Sequence, residues 1–383
     1  MKILIIIPSL GYGGAEKLVI DWIRNWLAAD SVSAVTLVLY SQKYLERLGD
    51  ITANPKFRLR FESTNTPWRM LRFRYLLHLL RLRKIIVEEA PDVVHSNLVA
   101  GIDMAILHRF LPRVKAFFHT VHNQARCDLG GDRYRKLMTR MTKDPRCRLV
   151  AISPSVQRSI KQYYGCDSIL IHNGVCGAGT TSKESDAVAE LERFAAAGSP
   201  VRRTVFLAVG RVMPQKNYDL MCAAFRHLRR EFPLTLVVLG GFVSEEDRIK
   251  YSALSGEDIH FLGSRDNVGD YMRHADFFCM TSKYEGFGLV AAEAMAAGLV
   301  PVITPSIGLT DVVEDNRHGV IAEAVTVEAF EDAVRRALGL SEAEKEQMRR
   351  LNFELYDKRY RIERCAATYL EHFLKTTAMN NHS

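Results

Sequence analysis

The sequence predicts an α/β protein in which a doubly wound parallel sheet is built twice. Three observations lead there. Short apolar runs of strand length recur with amphipathic, helix-length segments between them, which is the pattern of consecutive βα units. That alternation breaks once, over 177–203, where Gly, Ser, Thr and Ala dominate, and then restarts. The length of 383 residues suits two domains, and an apolar content of 48% lets each bury its own core. The expected architecture is two Rossmann-like domains facing each other across a cleft.

Along the chain, 3–7 is the first strand and Pro8-Ser-Leu-Gly-Tyr-Gly-Gly14 the loop after it. A helix follows over 15–29, with Leu18, Val19, Trp22, Ile23 and Trp26 spaced for one apolar face. Strands are expected at 33–40, 91–97, 115–121, 148–152 and 168–172, with a helix from about 101 and another opened by Ser153-Pro154. Residues 1–180 form the first domain and 181–203 a linker whose short helix reads as exposed. The second domain, 204–355, repeats the pattern: strand 204–209, helix 219–231, strands 234–239, 260–262, 275–280 and 299–304. A last helix begins at 356, within a terminal segment that runs to 383.

Bulk chemistry narrows the function classes. The seven cysteines show no CxxC pair and no ligand spacing, which indicates reduced thiols in a cytosolic protein rather than a zinc site. Pro8 cuts the first apolar run short, so it reads as a buried strand and not a signal peptide, and no run reaches the ~18 residues of a spanning helix. The net charge of +8 is uneven: residues 1–180 carry 27 Lys/Arg against 14 Asp/Glu, the remainder 25 against 30. A basic first half suits an anionic surface or simple solubility; no recognisable nucleic-acid module accompanies it, so no nucleic-acid partner is expected. Within that half, 68–84 interleaves Arg69, Arg72, Arg74, Arg81, Arg83 and Lys84 with leucines and aromatics, and no acid occurs between Glu62 and Glu88. This is the composition of an interfacial helix on an anionic membrane, with a surface helix that uses its leucines as core as the alternative.

The chemistry concentrates at Thr281-Ser-Lys-Tyr-Glu-Gly-Phe-Gly-Leu-Val-Ala-Ala-Glu-Ala-Met-Ala-Ala-Gly298. A strand, a glycine turn and a helix start make an anion site, because unpaired N–H groups and the positive dipole end face the ligand. Glu285 precedes that helix and Glu293 lies inside it, about one turn further on. Two carboxylates flanking an anion site suit a ligand with hydroxyl-bearing rings on both sides of a phosphate. In Gly210-Arg-Val-Met-Pro-Gln-Lys216, Arg211 and Lys216 stand at the carboxyl end of a strand, where a bidentate and a point charge together neutralise a diphosphate. Gly11-Tyr-Gly-Gly-Ala-Glu16 resembles a dinucleotide fingerprint but carries Glu where the last glycine belongs, so a substrate-facing loop is the better reading. His119-x-x-His122 lacks an acid at ligand spacing; a hydrogen bond from His122 toward the ligand, or a buried structural histidine, is expected instead of metal. No Asp-x-Asp, Walker loop or Gly-x-Ser-x-Gly elbow occurs.

Taken together these residues resemble the retaining, nucleotide-sugar-dependent glycosyltransferases of the GT-B fold (glycosyl transferases group 1). The resemblance runs through Gly13-Gly14-Ala15-Glu16, Pro91-Asp-Val-Val-His95, His122-Asn123, Asn173-Gly174, Val209-Gly-Arg211 with Lys216, and Phe261-Leu-Gly263. Its most specific part is Glu285 with Glu293, the family's E-x7-E motif. Gln215 departs from the family, where Glu is common. The resemblance implies that Arg211, Lys216 and the backbone at Gly288, Leu289 and Val290 hold the donor diphosphate. Glu293 would bind the ribose and Glu285 would face the transferred sugar, with Gly286 and Phe287 completing the donor loop. Gly13, Gly14, His122, Asn123 and Asn173 would line the acceptor side. It further implies a tail helix that returns to the first domain, a basic helix at the cytoplasmic face of the membrane, and no metal or other cofactor. The implied reaction is transfer of a hexose, with retained anomeric configuration, from a UDP- or GDP-sugar to a hydroxyl of a glycan or lipid-linked acceptor. Bacterial surface polysaccharide, lipopolysaccharide or glycolipid synthesis is the expected setting. A nucleotide-sugar epimerase of similar fold and a non-catalytic nucleotide-sugar-binding protein are the alternatives.

Overall fold

The run Lys2–Ile7 is buried from its second residue onward, because a parallel strand covered by helices on both faces has no side left for polar residues. It forms β1 in a computed structural model that describes residues 1–62, 71–129, 132–177, 179, 181–196, 201–256 and 258–380. After it come α1 (Gly14–Ala28), β2 (Ala34–Leu39), β3 (Phe57–Phe61), α2 (Leu71–Glu89), β4 (Val93–Asn97), α3 (Ala100–Leu107) and β5 (Ala116–Val121). Then follow α4 (Ala125–Asp128), α5 (Arg135–Met141), β6 (Cys147–Ala151), α6 (Pro154–Tyr164) and β7 (Ile169–Leu170). The strands form one sheet in the order β3-β2-β1-β4-β5-β6-β7, parallel at every pairing.

The second unit contains α7 (Glu184–Ala196), β8 (Thr204–Val209), α8 (Tyr218–Leu228), β9 (Leu234–Leu239), α9 (Glu245–Ser252), β10 (Ile259–Phe261) and α10 (Val268–His274). It continues with β11 (Phe277–Met280), α11 (Leu289–Ala296), β12 (Val300–Ile303), β13 (Val320–Ile321), α12 (Val327–Leu338) and α13 (Glu342–Leu355). Its parallel sheet runs β10-β9-β8-β11-β12-β13, the same reversal about the first strand. The last helix, α14 (Ile362–Met379), belongs to the first unit: the two units are Met1–Gly174 with the segment from Ile362, and Val175–Arg361. In α14, Tyr369 and Phe373 pack against Trp22, Trp26 and His95. Trp26 donates its indole N–H to the Ala366 carbonyl at 3.0 Å. A buried chain links His95 Nε2 to the Thr120 hydroxyl and that hydroxyl to Tyr369, each at 2.8 Å.

Two domain boundaries need correction. The stretch 181–203 is not an exposed linker; it carries α7, and Ala187, Leu191, Phe194 and Ala195 are buried in the second unit. Those four positions lie on one helical stripe, which the Gly- and Ser-rich flanks obscure. The last helix starts at Ile362 and not at 356, because Tyr356–Tyr360 is a π-helical turn of the second unit. The 168–172 strand shortens to two residues. Strand β3 was not foreseen, although Phe57-Arg-Leu-Arg-Phe61 has the two-residue alternation of a half-buried edge strand.

Arg69 lies outside the described residues, as does the first part of the 68–84 segment, and the side chain of Arg72 is likewise not described. From Phe73 onward α2 has two faces. Leu79, Leu82, Ile85 and Ile86 are buried, whereas Phe73, Leu76, Leu80 and Val87 are about half exposed on the opposite side, next to Arg81, Arg83 and Lys84. Arg83 donates to the Phe110 carbonyl at 3.3 Å, and Lys84 lies 3.8 Å from Glu88. No helix among the described residues is long and apolar enough to cross a membrane.

The inner face of α2 is fixed by His78. Its Nδ1 meets Glu62, and its Nε2 lies 3.2 Å from Asp103, whose carboxylate also accepts from Tyr40 at 2.6 Å and Tyr75 at 2.8 Å. Burial alone would lower the imidazole pKa, but the two carboxylates raise it to about 9. A raised histidine stabilises the fold fully below its unfolded value near 6.5 and loses that contribution as pH rises through 9. Urea midpoints measured from pH 6 to pH 10 should therefore fall across this window in the wild type, and His78→Gln should flatten that part of the profile.

Candidate active site

In each sheet the strand order reverses at the first strand, and the loops that leave the carboxyl ends on either side of the reversal diverge to open a binding edge. In the second unit these are the loop after β8, 210–217, and the loop after β11, 281–288. Hydrogen bonds tie them together. The Thr281 hydroxyl donates to the carbonyls of Lys216 and Asn217, at 3.1 and 3.0 Å. The Lys283 N–H donates to the Gln215 carbonyl at 2.8 Å, and the Gln215 side-chain amide to the Tyr284 carbonyl at 2.9 Å. Across this bracket Lys216 Nζ donates to Glu285 Oε1 at 2.8 Å, with the two side chains only 16% and 13% exposed.

Backbone geometry places Glu285. Its N–H donates to the Ile307 carbonyl at 2.9 Å. Gly308, at φ +90°, passes so close that a Cβ there would stand 2.2 Å from the Glu285 carbonyl oxygen. Gly288 caps α11 in the left-handed region at φ 82°, which only glycine adopts without strain. Phe287 is buried edge-on against Tyr360, with ring centroids 5.3 Å apart. Ala291 and Ala292 both turn their N–H groups back to the Gly288 carbonyl, so the N–H groups at Leu289 and Val290 remain as the donors of a helix start. Gly286 is buried in the same turn, and Glu293 is half-buried in the second turn of α11. Arg211 is exposed and has no hydrogen-bond or ion-pair partner for its side chain among the described residues. The bracket thus offers one held cation, one exposed cation, a carboxylate and a helix N-terminus: the parts needed to receive a polyphosphate bearing a hydroxylated group.

In the first unit the corresponding edge lies after β1, β4 and β5. His122 is fixed by Asn97, whose side-chain oxygen is 3.0 Å from Nε2, and its backbone N–H donates to Asp128 at 3.0 Å. Burial depresses its pKa to about 4; the Asp128 carboxylate opposes that fall, and the neighbouring His119 adds a smaller push in the same direction as burial. His122 is therefore neutral near pH 7, and with Nε2–H donated to Asn97 its Nδ1 is left as an acceptor. His119 is a buried structural histidine, held between Ser96 and the Asp128 carboxylate at 3.1 and 3.2 Å. Gly13 caps α1, and the Glu16 carboxylate folds over it; a Cβ on Gly13 would lie 2.2 Å from that carboxylate. This occupies the place a dinucleotide pyrophosphate takes. Gly14 is exposed at the first position of α1, and Asn123 accepts from the Gln124 N–H at 2.8 Å. Asn173 is buried, next to a Gly174 whose Cβ would lie 2.5 Å from Ile362 Cα.

Among the described residues His108, Asp144 and Cys147 converge closely enough to hold a metal ion. Their donors are already committed. Arg146 pairs with Asp144 at 2.8 Å, His108 Nδ1 lies 3.1 Å from the Met104 carbonyl, and burial raises the Cys147 thiol pKa well above its usual range.

Fold and site together define a two-unit, doubly wound protein whose second unit carries an anion-receiving edge. The family model described as "Glycosyl transferases group 1" matches residues 189–352, and that described as "Glycosyltransferase Family 4" matches 12–176, so between them they take in most of the sequence. The chain belongs to the group 1 glycosyltransferases of GT-B fold. It is 33% identical over 203 residues to the D-inositol 3-phosphate glycosyltransferase of Xylanimonas cellulosilytica, covering 49% of this chain and 47% of that protein. The chain thus spans about half the length of this curated relative. A GDP-mannose:cellobiosyl-diphosphopolyprenol alpha-mannosyltransferase from Xanthomonas oryzae is 24% identical over 96% of this chain and 93% of its own. The crystal structure of Anabaena Alr3699/HepE in complex with UDP superposes with a TM-score of 0.80 over 98% of this chain and all of that one, at 18% identity, which establishes the shared fold.

Two parts of the site escape sequence reading. Lys216 and Glu285 are 69 positions apart, and nothing local marks them as an ion pair. Gly308 sits in a loop with no motif of its own, though a glycine flanked by Ile and Leu is a fair sign of a required left-handed turn. Gly308→Ala should leave a folded protein by circular dichroism and lower donor affinity at least tenfold by calorimetry. Unchanged affinity would mean that the loop does not position Glu285.

Proposed function

We propose that the protein transfers a hexose, with retention of anomeric configuration, from a nucleoside-diphosphate sugar to a hydroxyl of a glycan or lipid-linked acceptor. The Lys216–Glu285 pair in front of α11 carries this reading. A donor diphosphate arriving at the helix start draws Lys216 toward its charge and is met by Arg211 and by the N–H groups at Gly288, Leu289 and Val290. Glu285, released from Lys216, faces the hydroxyls of the transferred sugar, and Glu293 accepts from the ribose; the two form the E-x7-E motif. The bond from the anomeric carbon to the diphosphate oxygen breaks as the acceptor oxygen bonds to the same carbon, and the acceptor proton passes to the leaving phosphate. Charge grows on the diphosphate during this step, where fixed cations and dipoles stabilise it most. No metal or cofactor is assigned a part.

Family membership and the near full-length likeness to a polyprenol-linked mannosyltransferase support a lipid-linked acceptor. His122 and the loop after β1, on the first unit, are assigned to that acceptor. The half-exposed stripe Phe73, Leu76, Leu80 and Val87, bordered by Arg81, Arg83 and Lys84, supports peripheral docking on the anionic cytoplasmic face of a bacterial membrane. Synthesis of surface polysaccharide or lipopolysaccharide is the fitting context.

Turnover measured with UDP-hexoses and GDP-mannose tests the reaction. Lys216→Ala should lower kcat about 10²–10³-fold, and product should require an acceptor; product from donor alone would point to an epimerase. Flotation with anionic vesicles should carry the wild type upward, and joint replacement of Arg81, Arg83 and Lys84 by Glu should release it. Equal flotation of the two proteins would refute the membrane contact.

A further inference from the structure

The loop after β1 presents an aromatic group that the donor chemistry does not use. Tyr12 is 68% exposed and Tyr44, which follows β2, is 40% exposed. Single exposed aromatics are ordinary, but these two are arranged against each other. Their rings meet edge to face, with centroids 5.3 Å apart and an interplanar angle of 73°. Arg47 lies over the Tyr12 ring at 5.2 Å, and its Nη1 is anchored on the Leu10 carbonyl at 2.9 Å and on the Gly11 carbonyl. Tyr44 adopts φ 65°, ψ 31°, a left-handed conformation that strains a bulky residue. One corner of two rings is therefore held by a guanidinium clamp and a strained backbone, yet neither ring is buried in the core.

We propose that Tyr12, Tyr44 and Arg47 form a platform on which a pyranose ring of the acceptor stacks through its apolar C–H face. The proposal rests on the transfer reading above and specifies its acceptor: a sugar ring at the first unit, and not only a lipid or a free phosphate. Position, chemistry and scale support it. The two tyrosines follow β1 and β2 at the carboxyl edge of the sheet, the edge that also carries His122 and Asn97. A rigid tyrosine supplies flat apolar area with little loss of rotamer freedom, and its hydroxyl reaches a sugar hydroxyl at the rim. Arg47 spends its Nη1 donors on loop carbonyls, so it stiffens the platform while adding positive charge beneath the Tyr12 ring. Two rings suit one sugar, whereas a stable protein partner needs far more surface.

Saturation-transfer NMR on the whole chain with methyl α- and β-hexopyranosides of gluco, galacto and manno configuration tests this. At least one glycoside should receive saturation on the ring protons of one face. Tyr12→Ala should weaken that signal about tenfold and Tyr12→Leu similarly, since an aliphatic chain lacks the flat face, while Tyr12→Phe should keep it. Because Tyr12 is mostly exposed, the melting temperature of each variant should match the wild type, so that loss of signal reports the platform and not unfolding. Absence of saturation from every glycoside, or full saturation in Tyr12→Ala or Tyr12→Leu, would overturn the proposal. A chain that binds glycosides through Tyr12 yet turns over no donor would keep the platform and sink the transfer reading. Transfer with an unchanged acceptor KM in Tyr12→Ala would do the reverse.

Discussion

A parallel sheet that grows outward in both directions from its first strand imposes one constraint on everything else. Crossovers on the two sides of that strand go to opposite faces, so the loops at its carboxyl end separate and leave backbone groups without neighbours. Both sheets have this order, with β1 between β2 and β4 and β8 between β9 and β11. The residues to which the proposals assign chemistry gather there: His122, Asn97 and Tyr12 in one unit, and Lys216, Glu285 and Arg211 in the other. The charged and strained groups of the site are thus placed by topology, on loops whose ends are fixed by buried strands.

The Lys216–Glu285 pair shows how such an edge is kept ready. Two opposite charges that are mostly withdrawn from water lose hydration, and their mutual attraction offsets that loss only while they stay paired. A ligand that offers Lys216 a stronger anion and Glu285 a set of hydroxyls exchanges one satisfied state for another, so neither charge is stranded. The scaffolding around the pair is neutral: Thr281, Gln215, the Ile307 carbonyl and the tight passage at Gly308 fix both loops by hydrogen bonds and close packing. Gln215 departs from the family pattern and serves here as a lashing between loops through its amide, a contact that a carboxylate, with no N–H to give, does not make.

The first unit combines the same edge with a different interior. Trp22, Trp26, His95 and Tyr369 cluster around a buried hydrogen-bonded chain, and Tyr369, like its neighbour Phe373, comes from α14 at the far end of the sequence. His78 has a comparable role beneath α2, where a charged imidazole between Glu62 and Asp103 lets one helix present buried leucines inward and an apolar, basic stripe outward.

Much of this was legible in the sequence. Strand runs such as Ile3–Ile7 and Leu234–Leu239, the glycine turn before Leu289 and the cations at 211 and 216 are local signals, because burial on both faces, left-handed backbone and charge at a strand end each write themselves into a few neighbouring residues. The chain by itself also determined which residue types would stand at the two edges. Only the tertiary structure decided their partners. Lys216 meets Glu285, Arg47 meets Tyr12, Gly308 clears the Glu285 carbonyl, and α7 joins the second unit's core. Such pairings depend on how distant loops converge once the sheet has set its order, and no periodicity or motif within a dozen residues encodes that distance.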